Sequence, residues 1–565
     1  MKLKISGVLG SALAMALLLA LTGCGNGDNG SDTEAASVNG LKAYDINPMP
    51  RAKVHDGGTL RWGLSEYPTQ WNANHVDGNL STVERVISGL MPKPFVSDQR
   101  GDVKANPDYL TKAEVTDTDP KQVVTLVINP KAKWSNGKPI TYQDFQAQWQ
   151  AMNGRNPDYR VASTTGYQDI DSVERGDDDR QVVITFGTPF GDWRSLFSPL
   201  YPQSANDSTD AFNNGWMNKI PITAGPFKFG RFDPTAKTIT VVRDDSWWGQ
   251  KAKLDQIVYR SMESDALIGA FTNGELDIID IGPSAPDFQR ARDAAGVEVR
   301  QAAGPDFRHF TLNGESDILS DVNVRRAIAL GIDRQAIAQS DLQGLDWPIT
   351  LLNNHFFMNT QEGYENGAGE FATYNPGKAG TLLDEAGWKM SGNVRKKNGK
   401  ELTLRFVIPS GLQLSKSEGE LTQTMLQRIG VKLTIQSVPS DDFFVKYIIP
   451  GNYDITPFSY IGTPFPVTSG YAQYANAAGG DKQWNSNLGR IGNDQIDAAM
   501  RKAAAELDPD AARAAANVAD KLIWKAVNVL TLYQRPQNVG VKSTLANIGA
   551  RGFYDLRYED IGFTR

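Results

Sequence analysis

A single cysteine, Cys24, stands in the whole chain of 565 residues, so no disulfide bond within the chain can hold its fold together. A chain of this length can bury most of the surface that its unfolded form exposes. Hydrophobic residues make up 40% of the composition, and 12 residues are tryptophan, which suits either a core or an aromatic-lined ligand cleft. We therefore expect a globular protein of two or more lobes that depends on its hydrophobic core for stability.

The position of the cysteine indicates how the chain is exported. Lys2 and Lys4 precede an apolar stretch, ALAMALLLAL at residues 12–21, which is too short to span a bilayer and has the length of a signal-peptide core. The sequence LTGC that ends at Cys24 resembles a bacterial lipobox, in which the cysteine is acylated and becomes the new N-terminus. We predict a lipoprotein signal peptide over residues 1–23 and a lipid anchor on the extracytoplasmic face of the cell membrane. The alternative is an ordinary secretory signal with a chance cysteine.

The residues after Cys24 have the composition of a linker. Gly, Asn, Ser, Asp and Ala dominate residues 25–40, and such a segment cannot bury an apolar face. It contains a literal GxGxxG, but no strand pattern precedes it and no helix pattern follows it, so it does not predict a nucleotide site. We predict a flexible tether over residues 24–55.

The rest of the sequence carries no motif for catalysis or metal binding. It has no GxSxG, HExxH or GxxxxGK[ST] pattern, and none of its four histidines has a His or Cys partner at ligand spacing. The net charge of −7 argues against a nucleic-acid partner. We expect a binding protein without cofactor or metal. A secreted hydrolase stays as an alternative, because catalytic residues can be scattered along a chain.

Strand-like and helix-like patterns alternate along the chain, which predicts a mixed α/β fold. The stretches 122–129, 402–409 and 431–438 have the β-branched or alternating composition of strands. Thr141 has the capping-box spacing to Asp144 at the start of a predicted helix, whose apolar face then follows.

Six segments in a fixed order resemble the family 5 extracellular solute-binding proteins of ABC importers, which include the oligopeptide-, dipeptide- and nickel-binding proteins. The resemblance runs from Gly57 to the C-terminus, and the stretch YDINPMPRAKVHDGGTLRWGL at 44–64 is similar to the actinobacterial branch. The segments are WSNGKPITYQDF (134–145), AGPFKFGRFDP (224–234) with ITVVRDDSWWG (239–249), FTNGELDII (271–279), HFTLNGES to VNVRRAIALGIDR (309–334), YNPGKAGTLLDEAGW (374–388) and LQRIGVKLTI (426–435).

The resemblance implies an α/β, two-lobed periplasmic-binding-protein-like fold of type II, cluster C, with an extra domain on the first lobe. The lobes would close on a ligand by hinge motion, a common mode of switching, and the closed monomer would be recognised by permease subunits in the membrane. The implied boundaries are 56–87, 213–306 and 531–565 for the first lobe, 88–212 for the extra domain and 307–530 for the second lobe.

The resemblance also implies where the ligand binds. Trp71, Tyr460 and Trp484 are predicted as apolar walls of the cleft, and Arg308 and His309 as the groups that meet a ligand carboxylate. For Trp484, packing at the surface is the alternative. The full set of predicted ligand-binding residues is Glu66, Trp71, Asn72, Thr223, Gly225, Asp306, Arg308, His309, Tyr460, Thr463 and Trp484.

One position departs from the pattern of peptide-binding relatives, which hold the α-amine of the peptide with an aspartate. In the stretch ITPFSYIGTPFP at 455–466, Thr463 lies near the place of that aspartate. A hydroxyl offers no charge, and charge-assisted hydrogen bonds are about twice as strong as neutral ones. Either another acid takes over, with Glu66 and Asp306 as the nearest, or the ligand has no free amine there.

These observations predict a lipid-anchored substrate-binding protein that captures oligopeptides for an ABC importer. In peptide-binding relatives the ligand lies extended and pairs its backbone with strands of the cleft. The alternative within the same fold is an envelope-assembly or sensory lipoprotein with no role in transport.

The anchor is testable through Cys24. A thioether-linked lipid contributes about 0.8 kcal/mol of membrane affinity per buried CH₂. Cys24→Ala is expected to move the protein from the membrane fraction to the medium, or to leave an unprocessed precursor, in a fractionation followed by immunoblotting, whereas Ser31→Ala is expected to fractionate like the wild type. Membrane retention of the Cys24→Ala protein would contradict the lipobox assignment.

Overall fold

The computed structural model of the chain describes residues 37–477, 484 and 486–564. The predicted signal peptide, Cys24 and the first part of the predicted tether lie outside the described residues. The described chain from its start onward belongs to one compact unit. Among the described residues, no helix is both long and apolar enough to cross a membrane.

The strands, numbered in chain order, lie where alternating or β-branched patterns predicted them, and β7, β18 and β19 confirm the three predicted stretches. The strands are β1 Ser37–Val38, β2 Leu41–Lys42, β3 Thr59–Leu64, β4 Phe95–Ser97, β5 Val103–Ala105, β6 Leu110–Asp117, β7 Val123–Ile128, β8 Ile170–Arg175, β9 Gln181–Phe186, β10 Phe227–Asp233, β11 Thr238–Arg243, β12 Gln256–Ser261, β13 Ile278–Asp280, β14 Val297–Leu312, β15 Lys389–Ser391, β16 Val394–Lys397, β17 Lys400–Glu401, β18 Thr403–Pro409, β19 Lys432–Val438, β20 Ile455–Ile461, β21 Val529–Lys542, β22 Leu545–Ala546 and β23 Gly562–Phe563.

The helices begin at capping residues that the sequence supplies. Thr141 and Asp144 form the predicted capping box of α2, and Asn375 caps α9 with Pro376 in its first position. The helices are α1 Ser81–Ile87, α2 Tyr142–Met152, α3 Gln203–Asn206, α4 Thr209–Asn214, α5 Ser264–Thr272, α6 Ala285–Arg292, α7 Val322–Gly331, α8 Arg334–Asp341, α9 Pro376–Glu385, α10 Gln413–Gln427, α11 Ser440–Asp442, α12 Pro466–Tyr474, α13 Asp494–Ala505 and α14 Pro509–Ala526.

A mixed sheet of ten strands runs through the molecule in the order β10-β11-β12-β3-β13-β21-β14-β20-β18-β19. The two longest strands, β14 and β21, pair antiparallel in its middle. β21 continues the sheet on one side through its pairing with β13, and β14 continues it on the other side through its pairing with β20. The sheet therefore has two halves, which meet along the β14–β21 pair.

The β14–β21 pair is irregular at its centre. The register shifts between Ala303, which lies opposite Pro536, and Phe307, which lies opposite Gln534. Residues 304–306 therefore form a bulge opposite Arg535, and a bulge of this kind bends a strand and re-aims its side chains. The predicted lobe boundaries at 306/307 and 530/531 fall within these two strands and stay predictions.

Each half of the sheet has its own core. The first core cluster includes Trp62 of β3 together with Leu126 of β7 and Ile184 of β9. It therefore joins the first half of the large sheet to the separate antiparallel sheet β6-β7-β9-β8, whose strands lie within residues 88–212. The extra domain implied for this range stays a prediction. The second cluster includes Phe310 of β14, Phe406 of β18 and Leu426 of α10 and fills the second half.

The predicted tether ends earlier than residue 55. Leu41, Ala43, Ile46 and Val54 are all buried, and Leu41 belongs to the core cluster of the second half. Residues 41–55 are therefore part of the folded body, which corrects the prediction of a flexible tether over 24–55. The composition argument was extended too far along the chain, because spaced apolar residues begin at Leu41.

The packing of this segment is testable at Leu41. Truncation of a buried leucine to alanine costs about 2–5 kcal/mol, since both transfer free energy and packing are lost. Leu41→Ala is expected to lower the free energy of unfolding within this range in urea titrations, whereas Lys53→Ala, at an exposed position, should leave it unchanged. Equal stabilities of the two variants would show that the segment is a tether after all.

Candidate ligand-binding site

A cavity of about 450 Å³ lies where the two halves of the sheet meet. Trp62 of β3 and Ile278 of β13 line it from the first half, and Ser459 and Ile461 of β20 line it from the second. Its volume falls within the ~300–1,000 Å³ of typical small-ligand pockets. Charged side chains of both signs line the cavity: Glu84, Arg85, Lys93, Asp280, Asp306, Arg535, Arg551 and Asp555.

Four of these charges form a closed network on the wall from the first half. Lys93 Nζ lies 2.7 Å from Asp555 and 3.7 Å from Glu84, while Arg551 lies 3.3 Å from Glu84 and 3.6 Å from Asp555. The backbone N–H of Ser97 also donates to Asp555 at 3.0 Å. Despite burial, the neighbouring cations hold the pKa of Glu84 and of Asp555 below their usual ranges. The network is therefore charged and balanced without a ligand.

The other four charges form two separate pairs. Arg85 Nη2 lies 3.8 Å from Asp280 Oδ2, which is an ion-pair contact beyond hydrogen-bond distance. Arg535 Nη1 donates to Asp306 at the bulge of β14. Burial raises the pKa of Asp306, although the guanidinium of Arg535 opposes the shift.

Aromatic rings pack on the sheet face opposite the cavity. Because side chains alternate along a strand, Phe458 and Tyr460 point away from the face that Ser459 and Ile461 present. The ring of His309 stacks on Tyr460 with centroids 4.3 Å apart and meets Phe458 edge-on at 4.3 Å. Tyr460 is thus not among the cavity-lining residues, contrary to its predicted place in the cleft wall.

The two groups predicted to meet a ligand carboxylate are both buried elsewhere. Arg308 forms a bidentate ion pair with Glu418, in which Nε donates to Oε1 at 2.7 Å and Nη2 donates to Oε2 at 2.6 Å. Burial lowers the pKa of His309 well below its usual value, so its imidazole is neutral and carries no charge for an anion. This placement corrects the expectation for Arg308 and His309, because Glu418 occupies the guanidinium of Arg308 and His309 lies buried on the sheet face opposite the cavity.

Four further predicted residues lie in the core of the first half. Trp71 is fully buried and stacks on Phe232 with ring centroids 5.3 Å apart. Asn72 is also fully buried and donates to the carbonyl of Phe212 at 3.1 Å. Neither is among the residues that line the cavity.

Thr223 packs against Ser135, and Gly225 packs against Gly89, just after α1. The N–H of Thr223 donates to Ser135 Oγ at 3.1 Å, and the carbonyl of Thr223 accepts from the N–H of Ser135 at 2.7 Å. A Cβ at Gly225 would lie 2.5 Å from the carbonyl oxygen of Gly89, so glycine is needed for the close approach of two backbones. Both positions therefore have a packing role in this conformation.

The last three predicted residues occupy separate surfaces. Glu66 is exposed and accepts from Thr82 Oγ1 at 2.6 Å. The hydroxyl of Thr463 accepts from the N–H of Phe465 at 3.0 Å. Trp484 donates from Nε1 to Glu315 at 3.0 Å. Of the predicted set, the structure brings Asp306 alone, among the described residues, to the cavity wall.

Sequence reasoning missed Arg85 and Arg535. Arg535 interrupts the apolar β21 with a charge, within the sequence YQRPQN, and a charge inside a buried strand is a pattern that points to a site or an ion pair. Arg85 lies on the last turn of α1 with nothing unusual around it in sequence. Among the described residues, no group of three or more His, Cys, Asp or Glu is placed to hold a metal ion.

A ligand cavity between two halves that share one sheet defines a solute-binding protein, and comparison with known proteins identifies which kind. The model of the bacterial extracellular solute-binding proteins, family 5, matches residues 104–482. The chain is 39% identical to the oligopeptide-binding protein OppA of Mycobacterium tuberculosis strain H37Rv, over 98% of this chain and 93% of that protein. The chain therefore belongs to family 5 of these proteins, and it is a binding protein, not an enzyme.

Two further comparisons support the assignment of the fold. The solved structure of the periplasmic EDTA-binding protein EppA matches with a TM-score of 0.83 and 26% identity, over 92% of this chain and 98% of that one. The probable monoacyl phosphatidylinositol tetramannoside-binding protein LpqW of M. tuberculosis is 29% identical over 49% of this chain and 44% of that protein. The predicted type II periplasmic-binding-protein fold is confirmed.

The Arg308–Glu418 pair has a third ionisable side chain, Asp341, beside it. Tyr533 donates to Asp341 Oδ2 at 3.2 Å, and Asp341 Oδ1 is buried with no hydrogen-bond partner among the described residues. Burial, and then the carboxylate of Glu418, raise the pKa of Asp341 to about 9. One guanidinium thus faces two acids, and Asp341 is protonated at neutral pH.

This arrangement predicts a pH-dependent loss of stability. The unfolded carboxyl titrates near 3.9, so between about pH 4 and pH 9 the folded state binds the extra proton and the free energy of unfolding falls as the pH rises. Between pH 5 and pH 8 the free energy of unfolding of the wild type is expected to fall by at least ~1 kcal/mol more than that of Asp341→Asn, measured by urea unfolding. Asp158→Asn, at an exposed position, should follow the wild-type curve. Parallel curves for all three proteins would contradict the protonated state of Asp341.

Proposed function

We propose that this protein is the lipid-anchored peptide-binding component of an ABC importer, which captures peptides in the cavity outside the cytoplasm and presents the closed monomer to permease subunits. Its membership in family 5 and its 39% identity to an oligopeptide-binding protein over nearly the full chain support this proposal. The lipid would be carried by Cys24, and no nucleic-acid partner is involved.

The observation that carries the proposal is the cavity at the β14–β21 junction. Residues of both sheet halves line it, while β14 and β21 connect the halves at an irregular register. A ligand that contacts both walls stabilises their approach, because its binding energy is gained only when both are in place. Closure of this kind is the mechanism by which we propose that the ligand is enclosed.

The free edge of β20 favours an extended ligand such as a peptide. β20 pairs with β14 along the whole of Asp306–Leu312. With β18, in contrast, β20 forms a single pair among the described residues, between Ile455 of β20 and Phe406 of β18. The backbone of residues 456–461 therefore has one side without a ladder partner in the described sheet, and Ser459 and Ile461 on this stretch line the cavity. An extended peptide can add to such an edge through backbone hydrogen bonds, which do not depend on its side chains.

Neither of the two acids predicted to replace the missing aspartate offers an unpaired carboxylate to a peptide amine in the cavity. The hydroxyl of Thr463 is engaged by Phe465, and Glu66 is not among the cavity-lining residues. Asp306 does line the cavity, but Arg535 already neutralises it. We therefore infer that the protein accepts peptides whose amine is blocked or lies outside the cavity.

Calorimetry with one peptide and its N-acetylated form tests both the function and this inference. Both forms are expected to bind with similar affinity, because no charge-assisted bond to the amine is lost. A loss near tenfold on acetylation, abolished by Asp306→Asn but not by Glu66→Gln, would show instead that Asp306 anchors the amine. If neither form binds across a library of peptide lengths, the peptide assignment is wrong and the alternative, an envelope-assembly or sensory lipoprotein with no role in transport, replaces it.

A further inference from the structure

The charges around the cavity differ in how strongly they are already paired. Glu84, Lys93, Arg551 and Asp555 satisfy one another in a closed network. Each charge of this network has two opposite partners, so a ligand ion that inserted there would have to break a balanced set of charges, which is costly. The remaining pairs, Arg85 with Asp280 and Arg535 with Asp306, are the ones that a ligand can enter.

Arg85 is held in place without using its hydrogen-bond donors. Its guanidinium lies over the indole of Trp62, 5.6 Å from the ring centroid, and Trp62 is itself stacked on Tyr259 and Tyr558. The hydroxyl of Tyr558 also donates to the carbonyl of Arg85 and fixes the end of α1. Asp280 stays 3.8 Å away, and no hydrogen bond from this guanidinium occurs within the described part of the chain, so its five N–H donors remain for a ligand.

Arg535 is likewise only partly used. It lies opposite the bulge of β14, and among the described residues its guanidinium contacts Asp306 end-on through Nη1. Its side chain is 23% exposed, as is that of Arg85, so both reach solvent inside the cavity. Planar guanidinium groups match the two oxygens of a carboxylate, which makes them the usual anchors for this group.

We propose that Arg85 and Arg535 together form the receptor for a carboxylate of the ligand, and that this site selects peptides with a free acid group near the cavity. The proposal rests on the proposed peptide-binding function and adds the specificity of its site. It also replaces Arg308 and His309 in this role, since Glu418 occupies the first and the second is neutral and buried.

The first experiment compares three forms of one N-acetylated peptide by calorimetry: the free C-terminal acid, the C-terminal amide, and the amide with a glutamate as the last residue. The free acid is expected to bind the wild type at least tenfold more tightly than the amide. The glutamate form distinguishes the source of the carboxylate, because recovery of affinity means that a side chain can supply it, and no recovery means that the site reads the C-terminus.

Variants then assign the effect to the two arginines. Arg85→Gln and Arg535→Gln are each expected to lose about tenfold or more in affinity for the acid while binding the amide like the wild type. Arg535→Lys keeps the charge without the planar guanidinium, and its affinity for the acid should lie between those of the wild type and Arg535→Gln. This variant controls for a loss of β21 packing. Arg260→Gln is the matched control, because Arg260 pairs with Glu275 away from the cavity.

A reciprocal variant separates ligand binding from a structural role. Asp280→Asn removes the acid that competes for Arg85, and its amide can still accept from the N–H of Gly282. This variant is expected to bind the acid several-fold more tightly, a gain that loss of structure cannot produce.

Equal affinities of acid and amide for the wild type, or unchanged acid binding in both glutamine variants, would overturn the carboxylate receptor and leave the peptide-binding function intact. Failure of every peptide form to bind would instead count against the function itself.

Discussion

The antiparallel pairing of β14 with β21 is the contact on which the rest of this structure depends. Each of the two strands extends the sheet on one side, so the first half, the second half and the cavity between them exist only because this pair forms. Its regular ladder is interrupted by the bulge at residues 304–306, and the interruption brings Asp306 to the cavity wall opposite Arg535. Fold and site thus share one irregularity of backbone register.

The polarity of the cavity follows from the way its charges are matched. Four acids and four bases line a space that is enclosed by two packed cores. In such a setting an unmatched ion is expensive, so every charge has an opposite neighbour before a ligand arrives. Lys93 and Arg551 each have two acidic partners, whereas Arg85 and Arg535 each have one among the described residues, so a ligand carboxylate competes more easily for Arg85 and Arg535.

Sequence patterns predicted the fold well and the site poorly, for a physical reason. Capping at Thr141, the strand at 402–409 and the order of the family segments are local features, visible within a dozen residues. The partner of Arg308, in contrast, is Glu418, 110 positions away, and the ring that covers His309 comes from Tyr460. Whether a charged or aromatic side chain faces a cavity or the core depends on such distant contacts, and no spacing along the chain reveals it.

The stacking of Arg85 on Trp62 also gives the cavity an optical signal of its own. Trp71, Trp216 and Trp524 are fully buried in the cores and supply a background that a ligand does not touch. The indole of Trp62, by contrast, lies under a cation at the cavity wall, and a charge held against an aromatic face perturbs its electrons. Any ligand that draws the guanidinium away changes the emission of Trp62, so occupancy of the site can be followed by intrinsic fluorescence without a label.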